Sequence, residues 1–449
     1  MQRQTSFSAP LPVSLPSVSL LDSDLLDSYL PGMTLPQAFY TDASVFETDM
    51  QAVFQTQWLF VGHSCEVSEP GQYFTVEVGH EPLIVVRDRQ KNLRAHFNVC
   101  RHRGSKLTSK QAGCTKALVC PYHGWTYELE GELKAARFMG NSFDKAAYPL
   151  ASVQVRELAG LVFICLADDP PDFEAAFAAI APQLSPHGLG HTKVAVRDRY
   201  TINANWKTII ENNRECYHCQ VAHPEFMMAN YDAGLPGDER DSGDRFAQKL
   251  SESYRRWESL GLSPKDVSFP SKSWFRVSRF PLKAGFVTES LDGQLTAPLM
   301  GSLTDADVGS LRIISLPNFW AHANADYAMT TRVIPISASQ TQIEVTFLVH
   351  ADAVEGTDYN PDNVAAVWRA TSEQDWQLCE NNYAGICSSA YRPGMLSSAM
   401  ESSVAAFLDW YLMLLKSCSK TKTENKKSLS MEPIALNRRV KVREMNGVF

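Results

Sequence analysis

Two short cysteine–histidine pairs constrain this chain more than any other feature. His102 follows Cys100 by two positions, and His123 follows Cys120 by three. Two such pairs in one short segment can hold a two-iron, two-sulfur cluster, in which two thiolates bind one iron and two imidazoles bind the other. Mixed ligation raises the reduction potential above that of an all-cysteine cluster, so the pattern predicts a centre for electron transfer.

A structural zinc ion is the alternative for the same four side chains, because zinc also takes two Cys and two His ligands. Zinc fingers seldom use a Cys-X-His pair, and they carry their second pair on a helix. Both pairs here fall on predicted loops between strands, which favours the iron–sulfur cluster.

The composition is that of an enzyme with full-sized cores. The chain has 449 residues, 44% hydrophobic and 20% charged, which is enough for two domains. A net charge of -8 gives no reason to expect nucleic acid. The apolar run at 411–415 is far shorter than the roughly 20 residues that span a bilayer, so no membrane partner is expected. We expect the ten cysteines to be reduced thiols in a cytoplasmic compartment rather than disulfides.

Both ends of the chain are expected to be flexible. Residues 1–40 form a leader whose first half is rich in Ser, Pro and Leu, with Arg3 the only charge before Asp22. A disordered leader is preferred here over an organelle transit segment. Residues 416–449 form a basic tail with nine Lys or Arg against three Glu, which is typical of a solvated segment.

The pattern between these ends changes near residue 170. Short alternating or apolar runs at 73–78, 83–86 and 161–166 predict a small all-β domain over residues 41–170, with a helix at its start. The acidic, proline-containing segment at 168–172 marks the boundary of a second domain over 171–415. There the sequence predicts helices at 173–180, 204–218 and 361–384 and strands at 311–350.

The two loop sequences carry a family resemblance. Cys-Arg-His-Arg-Gly at 100–104 and Cys-Pro-Tyr-His-Gly-Trp at 120–125 resemble the loops of a Rieske iron–sulfur domain, and the resemblance covers about residues 56 to 166. We expect the histidines to face solvent or a partner. Tyr122 and Trp125 are expected to pack over the sulfur-rich side of the cluster.

A second set of ligand-type side chains lies in Glu-Asn-Asn-Arg-Glu-Cys-Tyr-His at 211–218 and in His223. Non-heme Fe(II) enzymes that activate oxygen use two His and one carboxylate on one face. His218 and His223 fit the two imidazoles, but five residues diverge by about 140° on an unbroken helix. The helix must therefore end or bulge between them, and Pro224 supports an ending there.

The carboxylate must come from elsewhere in the chain. Asp375 is the best candidate, because on a helix it shares a face with Cys379 whereas Glu373 projects away. The alternative is that Asp375 is a surface acid of a charged helix. Cys216 and Cys219 flank His218 and are expected to pack as thiols rather than bind metal.

As a whole, residues 40 to 415 resemble the large subunit of Rieske non-heme iron oxygenases. The resemblance implies an α+β chain: an N-terminal all-β Rieske [2Fe-2S] domain, then a catalytic domain with a curved antiparallel sheet around a long helix, of the helix-grip type. It also implies that His218, His223 and Asp375 bind Fe(II), with O2 as cosubstrate. The family's acid that bridges to the Rieske histidine of a neighbouring subunit falls on Glu215. A homotrimer and a separate NAD(P)H-dependent flavin or ferredoxin reductase are implied as partners.

Glu215 occupies a position where aromatic-ring dioxygenases usually carry Asp. In this respect the segment resembles the branch that acts on quaternary ammonium compounds, especially glycine betaine and proline betaine demethylases. The implied reaction hydroxylates an N-methyl group and releases formaldehyde. The alternatives are an aromatic-ring hydroxylating oxygenase, a choline- or carnitine-type monooxygenase and a non-catalytic electron carrier.

A methylammonium group is recognised by aromatic faces. The rings and polar side chains that the sequence offers for this role are Phe226, Tyr231, Trp274, Phe275, Phe319, Trp320, Tyr383, Asn318 and His322.

Overall fold

A computed structural model describes residues 23–231, 242–268 and 275–429. Residues 1–22 of the predicted leader, residues 430–449 of the predicted tail and the candidate ring Trp274 lie outside the described residues. No helix in the described ranges is long and apolar enough to cross a membrane.

The N-terminal half is built from antiparallel strands. One sheet has the order β1-β10-β9-β4-β3-β2-β5, and a small sheet β6-β7-β8 stands beside it. These strands are β1 (Leu59–His63), β2 (Gln72–Val78), β3 (Glu81–Arg87), β4 (Leu93–Phe97), β5 (Ala112–Cys114), β6 (Leu118–Val119), β7 (Thr126–Tyr127), β8 (Leu133–Ala135), β9 (Ser152–Leu158) and β10 (Leu161–Cys165). The predicted all-β character of this half is confirmed, and both cysteine–histidine pairs lie on loops between strands.

The C-terminal half contains one curved antiparallel sheet with the order β11-β17-β16-β15-β14-β13-β12. Its strands are β11 (Thr192–Ile202), β12 (Val267–Ser268), β13 (Phe275–Phe280), β14 (Ser310–Ser315), β15 (Phe319–Ala323), β16 (Tyr327–Ser337) and β17 (Gln340–His350). The strands predicted for 311–350 are confirmed. Together with the helices, the two sheets give the predicted α+β class.

Three α-helices precede β1, and the others follow β10 in the C-terminal half. They are α1 (Ser23–Asp27), α2 (Ala38–Thr41), α3 (Ala43–Asp49), α4 (Glu174–Leu184), α5 (Trp206–Asn213), α6 (Cys219–Ala222), α7 (Pro224–Ala229), α8 (Ser242–Ser259), α9 (Pro361–Ile386) and α10 (Ser402–Leu429). The long helix α9 begins with Pro361 after an Asn360 cap, whose side chain accepts a hydrogen bond from the Asp362 amide.

Parts of both ends that were predicted to be flexible lie within the described structure. Leu35, Phe39 and Tyr40 belong to the predicted leader but are buried, and the Tyr40 hydroxyl donates to Glu211 Oε1 at 2.9 Å. The leader prediction is therefore wrong for these residues, because all three belong to the core and Tyr40 bonds both α5 and its Asn205 cap. At the other end, α10 continues through residues 416–429 of the predicted tail.

The two halves share a core. The Phe163 ring on β10 lies 5.3 Å from Phe275 and 5.7 Å from Phe319, which belong to the second sheet. The Asn318 side chain bonds both backbone groups of Phe60 at 3.0 Å. One face of the second sheet therefore packs against the first half, and the other face is left for α9.

Candidate metal centres and cavity

The two cysteine–histidine loops have the same backbone closure. The Cys100 amide donates to the Ser105 carbonyl at 2.8 Å, and the Cys120 amide donates to the Trp125 carbonyl at 2.8 Å. Gly104 and Gly124 each follow their cysteine by four residues and have φ values of 77° and 70°. Only glycine adopts this left-handed conformation without strain, so both loops turn back at the same point.

The sulfur atoms lie on the inner side of these loops. Cys100 and Cys120 are both 2% exposed, and the Tyr127 hydroxyl lies 3.4 Å from Cys100 Sγ. Burial raises the pKa of the Cys100 thiol, and its hydrogen bond with the Cys120 thiol adds to the rise. The two thiols are therefore neighbours in an apolar pocket.

The histidines lie on the outer side. The rings of His102 and His123 are 4.6 Å apart, and Trp125 stacks on His102 at 4.8 Å. Tyr122 is 59% exposed and stacks on His123 at 3.8 Å. The expectation that both rings pack over the sulfur-rich side is wrong for the exposed Tyr122, whereas Trp125 is buried in one core cluster with Cys100 and Cys120 and also stacks on His102.

These loops fit a [2Fe-2S] cluster. His102 Nδ1 is buried, and it meets no hydrogen-bond partner in the part of the chain that the structure describes. A buried imidazole nitrogen without a partner is costly unless a ligand or metal uses its lone pair. Two neighbouring thiols and two neighbouring imidazoles are the donor set of a mixed-ligand cluster.

The second candidate centre lies where the helical segment at 206–229 is broken. Helix α5 ends at Asn213 rather than at 218 as predicted, and a turn carries His218 to the start of α6. Helix α6 ends at Ala222, the backbone of His223 leaves the helical region, and Pro224 begins α7. The predicted ending of the helix before Pro224 is confirmed, and both rings lie on one side, against Asp375.

Asp375 on α9 meets both of these histidines. Its Oδ1 atom lies 2.9 Å from His223 Nε2 and 3.2 Å from His218 Nε2. The two rings are 5.0 Å apart and nearly perpendicular. The structure therefore brings together the three side chains that the sequence proposed as iron ligands, and Asp375 is not a surface acid.

The opposite nitrogen of each ring has its own acceptor. His218 Nδ1 lies 2.6 Å from Glu215 Oε1, and His223 Nδ1 lies 2.8 Å from Gln374 Oε1. Gln374 Nε2 donates to Glu225 Oε2 at 2.9 Å, which fixes the amide with its oxygen toward His223. Both rings therefore donate through Nδ1 to these acceptors, and both Nε2 atoms face Asp375.

The charges at this point favour a cation. Burial alone lowers the pKa of His218, but hydrogen bonds to Asp375 and Glu215 outweigh it and raise the pKa to about 9. For Asp375 the effects are opposite in sign. Burial raises the pKa of this carboxyl, but hydrogen bonds from both histidines outweigh burial and lower the pKa below its usual value. Two imidazole nitrogens and one ionised carboxylate on one side are the donor set of a non-heme Fe(II) site with open positions.

The sulfur atoms of Cys216 and Cys219 are joined in a disulfide that spans His218. The expectation of reduced thiols is therefore wrong for this pair. Their Cα atoms are 4.9 Å apart, because the turn between α5 and α6 brings the two residues together, and this distance is within disulfide range. A disulfide sulfur carries no thiolate charge, so the structure gives the pair no ligand role.

A cavity of about 330 Å³ adjoins these three side chains, between α9 and the second sheet. Phe226, Trp320 and His322, all predicted for a substrate pocket, line it. Trp368 of α9 completes the aromatic wall, with its ring 4.5 Å from His322 and 5.5 Å from Phe226. The cavity therefore combines aromatic faces with the candidate metal site.

The other predicted pocket residues lie elsewhere. Phe275 and Phe319 point to the opposite face of the sheet, and Asn318 joins the two halves. Tyr231 packs on Phe246 instead. Tyr383 is buried further along α9 and does not line the cavity. Phe275 and Phe319 were wrongly assigned because the second sheet is covered on both faces, so hydrophobicity does not distinguish its cavity side.

Sequence reasoning missed three functional candidates. Gln374 was not considered, although a polar residue next to a candidate ligand can indicate a hydrogen bond to another ligand of the same site. Trp368 precedes Asp375 by two helical turns, which is a helix-face signal. Arg312 lies in a strand whose other residues are mainly apolar, and it directly opposes His322 across the sheet.

Buried charge lies beneath the aromatic wall. The Glu289 carboxylate is bonded by His322 Nδ1 at 3.1 Å and by Asn324 Nδ2 at 3.3 Å. Burial would raise the pKa of Glu289, but His322 and Arg312 lower it to about 2. Burial lowers the pKa of His322, so we assign Glu289 as a carboxylate and His322 as neutral, with Arg312 as the main counter-charge.

Comparisons with known proteins agree with this architecture. A family model of the Rieske [2Fe-2S] domain matches residues 57–154, and a model of the ring hydroxylating alpha subunit (catalytic domain) matches residues 189–417. The glycine betaine monooxygenase oxygenase subunit of Chromohalobacter salexigens is 42% identical over 393 residues, with 87% of each chain covered. The protein of the same name from Pseudomonas aeruginosa is 41% identical and covers 87% of this chain and 90% of its own length.

Solved structures share the fold. A quaternary ammonium Rieske monooxygenase gives a TM-score of 0.66 at 24% identity, covering 89% of this chain and 100% of its own. Naphthalene 1,2-dioxygenase gives 0.60 at 21% identity, covering 89% and 96%. The chain therefore belongs to the Rieske non-heme iron oxygenases, as an oxygenase subunit with a [2Fe-2S] cluster and a mononuclear iron that uses O2.

Proposed function

We propose that this oxygenase hydroxylates an N-methyl group of a small quaternary ammonium compound, with glycine betaine as the first choice and proline betaine as the second. The observation that carries the proposal is the aromatic wall of Phe226, Trp320 and Trp368 beside the candidate iron site. A methylammonium head has no hydrogen to donate, and aromatic faces attract it by about 0.5 to 2 kcal/mol each. The glycine betaine monooxygenase subunits cited above support the same choice.

Residue roles follow from the site. Cys100, His102, Cys120 and His123 would hold the cluster, and His218, His223 and Asp375 would hold the mononuclear iron. When bound, these centres supply electrons and activate O2 for hydroxylation of the methyl carbon. The hydroxylated product is a carbinolamine, which collapses to formaldehyde and the demethylated amine.

The protein's own part is positioning. Glu215 and Gln374 keep the His218 and His223 rings in the Nδ1–H tautomer, so that both Nε2 lone pairs remain available. The aromatic wall orients one methyl group toward the ligand side chains and excludes water from the cavity. His322 stays neutral, so it does not repel the cationic head.

Assembly and electron supply are also part of the proposal. We assign residues 41–170 to the Rieske domain and 171–415 to the catalytic domain of a cytoplasmic homotrimer. Glu215 would link His218 to a Rieske histidine of the neighbouring subunit, because it already bonds His218 and is part-exposed. The oxygenase-subunit names of the relatives support a separate reductase, for which we propose an NAD(P)H-dependent type.

The test is turnover with a matched substrate panel. Purified protein with both iron centres and a surrogate reductase would be supplied with glycine betaine, proline betaine, carnitine or naphthalene. We expect oxygen uptake coupled to stoichiometric formaldehyde with a betaine. If only the arene stimulates coupled turnover, the N-demethylase proposal is wrong.

A further inference from the structure

Arg312 stands out among the cavity residues because its charge has no close partner. It forms no ion pair within 4.0 Å among the described residues, and its Nε atom is buried without a hydrogen-bond acceptor there. We propose that Arg312 binds the carboxylate of a zwitterionic betaine substrate and so makes the enzyme specific for betaines over choline. This inference rests on the proposed function, since it names the second recognition group of the same substrate.

The guanidinium is held in a fixed position. Arg312 Nη2 donates to Asn230 Oδ1 at 2.6 Å, and Asn230 Nδ2 donates to the Phe226 carbonyl at 3.1 Å. The guanidinium carbon lies 4.5 Å from the Phe280 ring centre and 5.7 Å from that of Phe226. A pre-oriented guanidinium loses little side-chain entropy when an anion binds.

Arg312 lies in the same cavity as the candidate metal site. It opposes His322 on one side and Ser278 on the other, and all three line this cavity together with Asp375. A betaine carries its carboxylate and its methylammonium head in one small molecule, so both groups can be bound within this one cavity.

The nearby Glu289 carboxylate does not form an ion pair with the Arg312 guanidinium. The Glu289 oxygens are engaged by His322 and Asn324, so Glu289 offsets the charge of Arg312 without contacting it. The group that still lacks a hydrogen-bond partner among the described residues is therefore the Arg312 guanidinium, at its Nε atom. A buried cation with free donors gains most from an anion that brings its own acceptors.

Two other arginines line the cavity, and neither fits as well. The Arg276 guanidinium is paired with Asp266 at 2.6 Å. Arg214 also has a buried Nε without a partner in the described ranges, but it directly precedes Glu215 and feels the charge of Arg276. Only Arg312 combines free donors with the aromatic wall.

The first test uses the unmodified holoenzyme. Anaerobic calorimetry would compare glycine betaine with choline and with the amide in which a neutral carboxamide replaces the carboxylate; all three share the trimethylammonium head. We expect glycine betaine to bind about 10- to 100-fold more tightly than either, as for a charge-assisted hydrogen bond. Equal affinities for the three compounds would overturn the inference without any variant.

The second test uses Arg312→Gln, with Arg312→Lys as the conservative variant. Arg312→Gln should raise Kd and KM for glycine betaine about 10- to 100-fold with a smaller change in kcat, and should leave choline affinity within threefold. Arg312→Lys should recover part of the loss. Arg199→Gln, which removes an exposed arginine of the same sheet, is the control and should leave Kd unchanged.

The outcomes separate the two proposals. If wild-type enzyme turns over no quaternary ammonium compound, the proposed function fails. If it demethylates glycine betaine but Arg312→Gln keeps the preference over choline, only the role of Arg312 is overturned. A larger loss in Arg214→Gln than in Arg312→Gln would overturn it as well.

Discussion

Oε1 of Gln374 lies 2.8 Å from Nδ1 of His223. The next residue, Asp375, places its carboxylate against the other nitrogen of the same ring. Two consecutive residues of α9 therefore hold the two sides of one imidazole. The orientation of His223 depends on Gln374 as much as on the candidate ligand set.

Gln374→Leu should weaken binding of the mononuclear iron by about 10- to 100-fold, because the ring loses the acceptor that fixes its tautomer and orientation. Iron content would be measured after dialysis against graded chelator, with the cluster absorption as an internal reference. Gln377→Leu is the matched control, since Gln377 is on the same helix and bonds only Asn381 among the described residues. Equal iron retention in both variants would contradict the role of Gln374.

Glu215→Gln should keep both iron centres and lower turnover about 10- to 100-fold. The amide oxygen can still accept from His218 Nδ1, but the negative charge on the proposed electron path is gone. Stopped-flow mixing of pre-reduced protein with substrate and O2 would follow reoxidation of the cluster. Loss of the mononuclear iron, with normal cluster reoxidation in the remaining sites, would assign Glu215 to metal binding instead.

The clustering of the candidate ligands was predictable because most of them are close together in sequence. The two cysteine–histidine pairs each occupy one loop, and Pro224 enforces the helix break that turns His218 and His223 to one side. Asp375 is distant in sequence from His218 and His223, so its contact with them could not be predicted from spacing. The face of the predicted helix nevertheless favoured Asp375 over Glu373.

The cavity wall was less predictable, for a physical reason. Every residue of β15 is buried, so alternation between apolar and polar residues does not mark its cavity face. Phe319 and Trp320 are adjacent in sequence, yet one packs on Phe163 and the other lines the cavity. The face of each strand is decided by which half of the molecule covers it, and this is a tertiary contact.

The double variant Cys216→Ser, Cys219→Ser should retain mononuclear iron within about twofold, because neither sulfur is needed beside three N and O donors. Iron content and the Fe(II) nitrosyl spectrum would be compared with wild type. Cys387→Ser, at an exposed thiol, is the control. A shifted spectrum with sulfur ligation lost would contradict the three-donor assignment.

Glu211 should make stability fall as the pH rises. Burial raises its pKa to about 8, and the hydrogen bond from Tyr40 and the charge of Lys207 offset only part of that rise. A carboxyl whose pKa is higher in the folded state stabilises the fold below its unfolded value near 4.5, and this contribution is lost progressively as the pH rises from there to about 8. Glu211→Gln keeps an acceptor for Tyr40 and does not titrate, so its stability relative to wild type should rise by roughly 3 kcal/mol between pH 5 and pH 8. Thermal unfolding at a fixed scan rate across this range would measure the difference, with Glu47→Gln, at an exposed carboxyl of α3, as the control. A constant difference between Glu211→Gln and wild type at all pH values would show that folding does not raise the pKa of the Glu211 carboxyl.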